Sequence, residues 1–214
     1  MKQKKVSFLV LVVCFLITAS VALADIKLPA PTKDGGEGIF SLLEKRASGP
    51  RDNFPTGQIS MEELSSLLWA ATGLNRAGKG WTVPMAVGKP PYVKIYVVMP
   101  EGAFLYNWKD HLLAEVTNKN ILEEITKDDF VKKSPCVLIF VPDAEVLGTM
   151  PMPGSENILA FALTGAMTQN IYLAADSLGI SGRYMISMNA DAIKSELKLG
   201  QAESPLCVMP LGKK

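Results

Sequence analysis

The strongest constraint on the fold is a helix-length segment near the C-terminus that is apolar almost all round. It covers residues 155–178 and stops at Gly179, a residue typical of helix ends. A helix that is apolar on most sides has to be buried on most sides, at the centre of a domain or in a subunit interface. The apolar surface is interrupted by Thr164, Thr168, Gln169 and Asn170. These side chains argue against a membrane-spanning helix.

The rest of the sequence mixes helix and strand patterns. Ser60-Met-Glu-Glu63 is a capping box, and the helix that it opens ends near Gly73. Further helices are predicted at residues 38–47, 121–125, 129–132 and 189–197. Strands are predicted at residues 92–99, 103–106, 111–116, 136–141, 183–188 and 204–211. This order indicates an α+β fold, with a single domain at residues 37–214 behind an extended arm at residues 25–36.

The N-terminus has the layout of an export signal. Lys2, Lys4 and Lys5 precede an apolar core, which ends in Val21-Ala-Leu-Ala24. Small residues at these positions predict a signal peptide at residues 1–24 with cleavage after Ala24. An uncleaved anchor is the alternative, because residues 6–24 approach the length of a bilayer span. Cleavage predicts a periplasmic or secreted protein without a transmembrane segment.

Charge and histidine content exclude several kinds of site. The formal net charge is +1 without basic clusters, which argues against nucleic acid as a partner. His111 is the single histidine and no C-x-x-C pair is present, so we expect no metal site. A G-x-S-x-G elbow is also absent, which argues against a serine hydrolase. We expect His111 to have a structural role in a hairpin.

Two cysteines remain after signal removal, Cys136 and Cys207, and both lie in apolar runs. Two buried free thiols are the favoured interpretation, and a disulfide is the alternative that an oxidising compartment allows. A redox or ligand-binding module acting through these thiols is less favoured, because no basic residue is placed to activate either thiol.

Arg46-Ala-Ser-Gly-Pro-Arg51 places two guanidinium groups and a hydroxyl where a helix gives way to a loop. Planar guanidinium groups beside a hydroxyl suit a phosphate or a carboxylate. The alternative is a structural one, since arginines near a helix C-terminus commonly interact with the helix dipole.

Several sequence blocks follow this motif in a characteristic order. Leu67-Leu-Trp-Ala-Ala71 precedes Gly73-Leu-Asn-Arg76, and Gln169-Asn-Ile-Tyr-Leu-Ala-Ala175 precedes Leu178-Gly-Ile180. Together they resemble the nitroreductase family of flavoproteins, specifically its branch related to the thiazole- and oxazole-forming oxidases. The resemblance covers nearly all of the mature chain. It implies a nitroreductase-like α+β fold, with a sheet flanked by helices, and an intertwined homodimer with FMN in two clefts at the subunit interface.

The resemblance also implies which residues hold FMN. Arg46 and Ser48 match the family's arginine-x-serine-x-basic motif for the phosphate, and Arg51 matches it after one extra residue. Residues Leu178, Gly179 and Ile180 match the turn whose backbone amides face the flavin ring. Lys213 or Lys214 takes the place of the basic residues that close the phosphate site.

The chain departs from the family at the segment that contacts the flavin across the dimer interface. Where the family reads Pro-Ser-x-x-Asn-x-Gln, this chain has Pro84, Met85, Ala86 and then Gly88 and Pro90. The loss of several hydrogen bonds weakens the expected FMN site, each bond contributing on the order of 1 kcal/mol. Packing of Met85 against the ring is the alternative.

Two functions therefore stay open. The leading hypothesis is an FMN-dependent oxidoreductase with a small-molecule redox substrate and no catalytic side chain, since the flavin carries the chemistry. Outside the cytoplasm it needs an extracytoplasmic electron partner or works as an oxidase. The alternative is a non-catalytic binding or structural protein that kept the fold and lost FMN.

Overall fold

The computed structural model describes residues 24–214, so the predicted signal peptide lies outside the described residues except for Ala24. Its strands are β1 (Ile26–Lys27), β2 (Leu74–Asn75), β3 (Gly80–Trp81), β4 (Val93–Met99), β5 (Gly102–Asn107), β6 (Leu112–Thr117), β7 (Cys136–Pro142), β8 (Ile180–Gly182) and β9 (Cys207–Lys213). Its α-helices are α1 (Ile39–Lys45), α2 (Met61–Thr72), α3 (Leu122–Ile125), α4 (Asp129–Lys132), α5 (Ala144–Leu147), α6 (Glu156–Ser177) and α7 (Ala190–Glu196).

One antiparallel sheet of seven strands organises the chain, in the order β1-β6-β5-β4-β7-β9-β8. β4, β5 and β6 form the predicted meander, and the predicted arm adds β1 at the edge of the sheet. All seven residues of β7 are buried, as expected for an apolar strand covered on both faces. The predicted α+β class is confirmed.

The sheet separates two apolar cores. Side chains alternate along a strand, so Ile95 and Val97 of β4 face the core formed with α2 and α6. Tyr96 and Val98 of the same strand face the opposite core, which α3, α4 and α7 complete. The capping box at Ser60 is confirmed, with the Ser60 hydroxyl accepting from the Glu63 N–H and the Glu63 carboxylate accepting from the Ser60 N–H.

The long apolar helix predicted at residues 155–178 is confirmed as α6. One side of α6 packs on the sheet and on α2. Its other side exposes Ile158 and Phe161, at 72% and 50% of their full accessible surface. Among the described residues, α6 is the one helix that is long and apolar enough to cross a membrane. A helix buried in a protein core has the same length and composition, so this finding alone does not indicate a membrane span.

The strand predicted at residues 183–188 is wrong. The chain turns at Gly179, which has a φ of +70°, and pairs at once as β8, while Met185 makes only an isolated bridge to Val208. Among residues 183–188 only Met185 is buried, and the chain leaves the sheet after its bridge to Val208. The last strand also lies later than predicted, at Cys207–Lys213, and α5, β2 and β3 were not predicted.

Cys136 and Cys207 are free and buried. They lie on neighbouring strands, where Cys136 pairs with Leu211 and Cys207 pairs with Phe140. That offset of four residues separates them by about 13 Å along the strands, which is too far for a disulfide. Burial raises the pKa of the Cys136 thiol to about 12, so it stays protonated at neutral pH.

Candidate functional site

The segment that follows α1 is held against β8. Arg46 ends α1, and its N–H donates to the Leu42 carbonyl. The Gly49 N–H donates to the Gly182 carbonyl at 2.8 Å, and the Arg183 guanidinium donates to the Gly49 carbonyl at 2.6 Å. These bonds fix the loop, so its side chains project from a rigid base.

Tyr172 connects this loop with the end of α6. Its hydroxyl oxygen accepts from the Tyr184 N–H at 2.7 Å and lies 2.9 Å from the Ser48 hydroxyl. Since the Tyr184 N–H is a donor, the Tyr172 O–H is free to donate to Ser48. The Arg46 guanidinium lies 5.2 Å from the centre of the Tyr172 ring, within the range of a cation–π contact. Tyr172 thus positions both residues of the motif.

A cavity of about 150 Å³ lies between this loop, the last turn of α6 and β8. Its walls include Lys45, Ser48, Tyr172, Asp176, Ile180 and Lys214. The Lys214 N–H donates to the Gly179 carbonyl at 2.9 Å, which holds the C-terminus beside the turn. Ser48 of the sequence motif, Ile180 after the glycine turn and the C-terminal Lys214 therefore line one cavity.

Both lysines that line this cavity already have carboxylate partners. Lys45 pairs with Glu37, and this contact lowers the pKa of the Glu37 carboxyl below its usual value. Lys214 pairs with Asp176 at 2.9 Å. Within residues 24–214, Arg46 takes part in no salt bridge. Arg46 and the Ser48 hydroxyl are therefore the groups most available to an anionic ligand.

Two predicted phosphate residues lie elsewhere. Arg51 pairs with Asp128 at 3.7 Å and lines a separate cavity of about 720 Å³. Lys213 pairs with Glu63 at the start of α2, and its N–H donates to the Gly57 carbonyl. The structure brings Lys214, and neither Arg51 nor Lys213, to the cavity that Ser48 lines.

The segment with Pro84, Met85 and Ala86 is also apart from Ser48. Pro84 and Met85 line a cavity of about 340 Å³ beside Arg76 and Trp81, and Ala86 packs at the edge of the α2/α6 core. The amide of Asn170 on α6 donates to the Thr82 carbonyl at 3.2 Å and fixes the start of this segment. Leu178 lines a fourth cavity, of about 390 Å³. A single copy of the chain therefore does not unite the predicted flavin contacts.

Three residues at the Ser48 cavity were missed by the sequence analysis: Lys45, Tyr172 and Asp176. Lys45 looked like an ordinary basic residue in the last turn of a helix. Tyr172 and Asp176 lie one helical turn apart on α6, and this spacing between two polar groups near the end of an apolar helix was the available signal.

The sequence model of the nitroreductase family matches residues 43–213. The chain belongs to the nitroreductase family. The resemblance seen in the sequence blocks is thereby confirmed, and the fold is the nitroreductase fold. This is a family of oxidoreductases whose members commonly bind FMN. No curated protein matches this nitroreductase-family chain.

Three solved structures show the same fold. A candidate nitroreductase from Ralstonia eutropha is 29% identical with a TM-score of 0.80, and the match covers 88% of this chain and 89% of that one. The E. coli microcin synthetase McbBCD, solved with truncated pro-MccB17, is 16% identical with a TM-score of 0.63, covering 86% and 75%. A candidate NADH oxidase from Clostridium acetobutylicum is 17% identical with a TM-score of 0.56, covering 80% and 86%.

The residues of this nitroreductase-family protein fit one end of FMN. Arg46, Ser48 and Lys214 offer the guanidinium, hydroxyl and ammonium donors that a phosphate accepts. A cavity of about 150 Å³ takes the phosphate and the end of the ribityl chain, whereas the flavin ring needs a further surface. The residues of one chain therefore fit the phosphate end of FMN and leave the flavin ring without a complete site.

Proposed function

We propose that this protein is an FMN-dependent oxidoreductase that acts outside the cytoplasm as a homodimer. The observation that carries the proposal is the cavity that Ser48, Tyr172 and Lys214 line beside the Gly179 turn, with the Arg46 guanidinium stacked on the Tyr172 ring. Lys214 is far from Arg46 and Ser48 in the sequence, and their proximity in the fold gives a set of donors that suits a phosphate group. The predicted export signal gives the compartment.

Arg46 and Ser48 hold the phosphate end of FMN in this proposal. Ser48 is exposed to solvent while its hydroxyl is oriented by Tyr172, so it can add a hydrogen bond to a ligand without losing its support. The chain contributes binding and orientation, and bound FMN supplies hydride transfer. We assign no side chain to proton transfer.

A second copy completes the flavin site. Ile158 and Phe161 lie one turn apart on the outer side of α6, and Gly165 continues the exposed row. An exposed apolar row on a long helix is typical of an interface between subunits. Pairing of two such helices also lets Pro84, Met85 and Ala86 of one copy approach the Ser48 cavity of the other.

The proposed reaction uses a small-molecule redox substrate and an extracytoplasmic electron partner. The soluble nicotinamide cofactors of the cytoplasm are not supplied in that compartment. The protein therefore either takes electrons from a partner there or works in the oxidase direction.

A non-catalytic protein that kept the fold is the second candidate. The observation that favours it is the composition of the segment after Pro84, where Met85, Gly88 and Pro90 replace polar residues. Val87 has a φ of +46° and is 57% exposed, so this segment offers an apolar side chain at its surface. It lacks side-chain hydrogen bonds for the flavin ring.

Titration of the purified mature protein with FMN separates the two candidates. We expect quenching of flavin fluorescence, a flavin absorbance that dithionite bleaches, and a raised Tm. We expect Arg46→Ala to weaken FMN binding by about tenfold, because an exposed charge-assisted hydrogen bond is lost. If the folded wild-type protein shows no fluorescence change and no Tm shift in excess FMN, the oxidoreductase proposal is wrong and the non-catalytic candidate stands.

A further inference from the structure

We infer that Asp176 lowers the preference of this site for the phosphate of a flavin, so that it accepts flavins that end in a hydroxyl, such as riboflavin, as well as FMN. The inference rests on the proposed flavin function. It concerns which form of the cofactor the site selects.

Asp176 lies in the last turn of α6, and its side chain is 13% exposed. One carboxylate oxygen, Oδ1, accepts from the Lys214 ammonium at 2.9 Å. The other oxygen, Oδ2, is buried and has no hydrogen-bond partner. Asp176 lines the same cavity as Ser48 and Ile180. A ligand in this cavity therefore lies beside the Asp176 carboxylate, whose negative charge is balanced, within residues 24–214, by Lys214 alone.

A terminal phosphate and a terminal hydroxyl interact with this carboxylate in opposite ways. A phosphate monoester carries a charge of about −1.5 to −2 at neutral pH and has mainly acceptor oxygens. Beside Asp176 it meets a like charge at close range. A hydroxyl carries no charge, and it can donate a hydrogen bond to a carboxylate.

Lys214 cannot serve the phosphate without a cost. If its ammonium turns to the phosphate, Asp176 loses its ion-pair partner in a largely buried position, which is unfavourable. If Lys214 stays with Asp176, the phosphate keeps Arg46 and Ser48 alone, because Lys45 pairs with Glu37. Both arrangements weaken binding of the dianion. A flavin that ends in a hydroxyl avoids both, because it brings no second negative charge to the Asp176 carboxylate.

The test compares the Kd of FMN and of riboflavin for the full mature protein, by fluorescence quenching at pH 7.5. For the wild type we expect the two Kd values to lie within about tenfold of each other. For Asp176→Asn we expect FMN to bind about tenfold more tightly, while riboflavin binding changes less, because a like charge next to the phosphate is removed. Asp191→Asn makes the same charge change at an exposed position on α7 and controls for overall charge.

Lys214→Met provides a second variant that does not depend on the folding of Asp176→Asn. It leaves Asp176 without its cation, so FMN affinity falls by a larger factor than riboflavin affinity. An unchanged FMN-to-riboflavin ratio in Asp176→Asn, or equal losses for both ligands in Lys214→Met, overturns the inference and leaves the flavin function standing. If the wild type binds neither flavin, the proposed function fails and the inference fails with it.

Discussion

Tyr172 explains how a short motif becomes a binding site. Arginine and serine two positions apart are common, and the sequence alone left a purely structural role open for them. The structure places the Tyr172 hydroxyl 2.9 Å from Ser48 and the Tyr172 ring beneath Arg46, so a single residue of α6 orients both. The same hydroxyl accepts from the Tyr184 N–H, which links the motif to the chain beyond β8.

Substitutions at this cluster distinguish the family motif from the geometry of this chain. We expect Ser48→Ala and Tyr172→Phe each to weaken FMN binding by about three- to tenfold, since each removes one hydrogen bond. Arg51→Ala is expected to change FMN binding by less than about twofold, because Arg51 pairs with Asp128 at a different cavity. Isothermal titration with FMN measures all three. An Arg51 effect as large as the Ser48 effect contradicts the placement described above.

At the scale of elements, the predictable parts are those with strong local signals. The capping box located α2, and the unbroken apolar run located β7. β8 was not predictable in the same way, because its three residues are too few to show alternation and their pairing with β9 depends on the turn at Gly179. The cavity was predictable in part: the loop motif and the turn carry sequence signals, whereas the orientation of Arg51 and the approach of Asp176 depend on packing.

His111 attaches the N-terminal arm to two elements of the domain. Its Nε2 lies 2.7 Å from the Ser65 hydroxyl of α2 and 3.2 Å from the Pro29 carbonyl of the arm. Its Nδ1 lies 2.9 Å from the Tyr106 hydroxyl of β5. Because the Ser65 hydroxyl donates to the Pro29 carbonyl, Nε2 carries the proton and Nδ1 accepts from Tyr106. This network is complete with a neutral His111, which agrees with the structural role expected from the sequence.

The stability of the protein should therefore depend on pH through His111. Burial lowers the pKa of His111 in the folded state, with nearby Lys33 acting in the same direction. The unfolded chain therefore binds a proton at His111 more readily than the folded protein does. The contribution of neutral His111 to folding stability is complete above about pH 6.5 and is lost as the pH falls below that value. We expect the free energy of urea unfolding to fall between pH 7.5 and pH 5.5. The fall should be smaller in His111→Gln, and an equal fall in both proteins contradicts the assignment.

At the scale of the whole molecule, the proposed flavin site depends on the association of two copies of the chain. Ser48 and Lys214 line one cavity and Pro84 and Met85 line another within one chain, so the proposed flavin site is completed by a second copy. In the proposed dimer the exposed row on α6 provides the surface for this second copy, because Ile158 and Phe161 are 72% and 50% exposed.

This relation predicts that loss of the dimer is accompanied by loss of tight FMN binding. Phe161→Glu places a charge in the middle of the exposed row, and we expect light scattering to report a monomer, because burying an unpaired charge in an interface is costly. FMN affinity should fall by more than about tenfold although Arg46 and Ser48 are unchanged. Gln201→Glu adds the same charge at an exposed turn before β9 and should leave both properties as in the wild type. A Phe161→Glu monomer that binds FMN as tightly as the wild type shows that one chain suffices, and the shared site is then wrong.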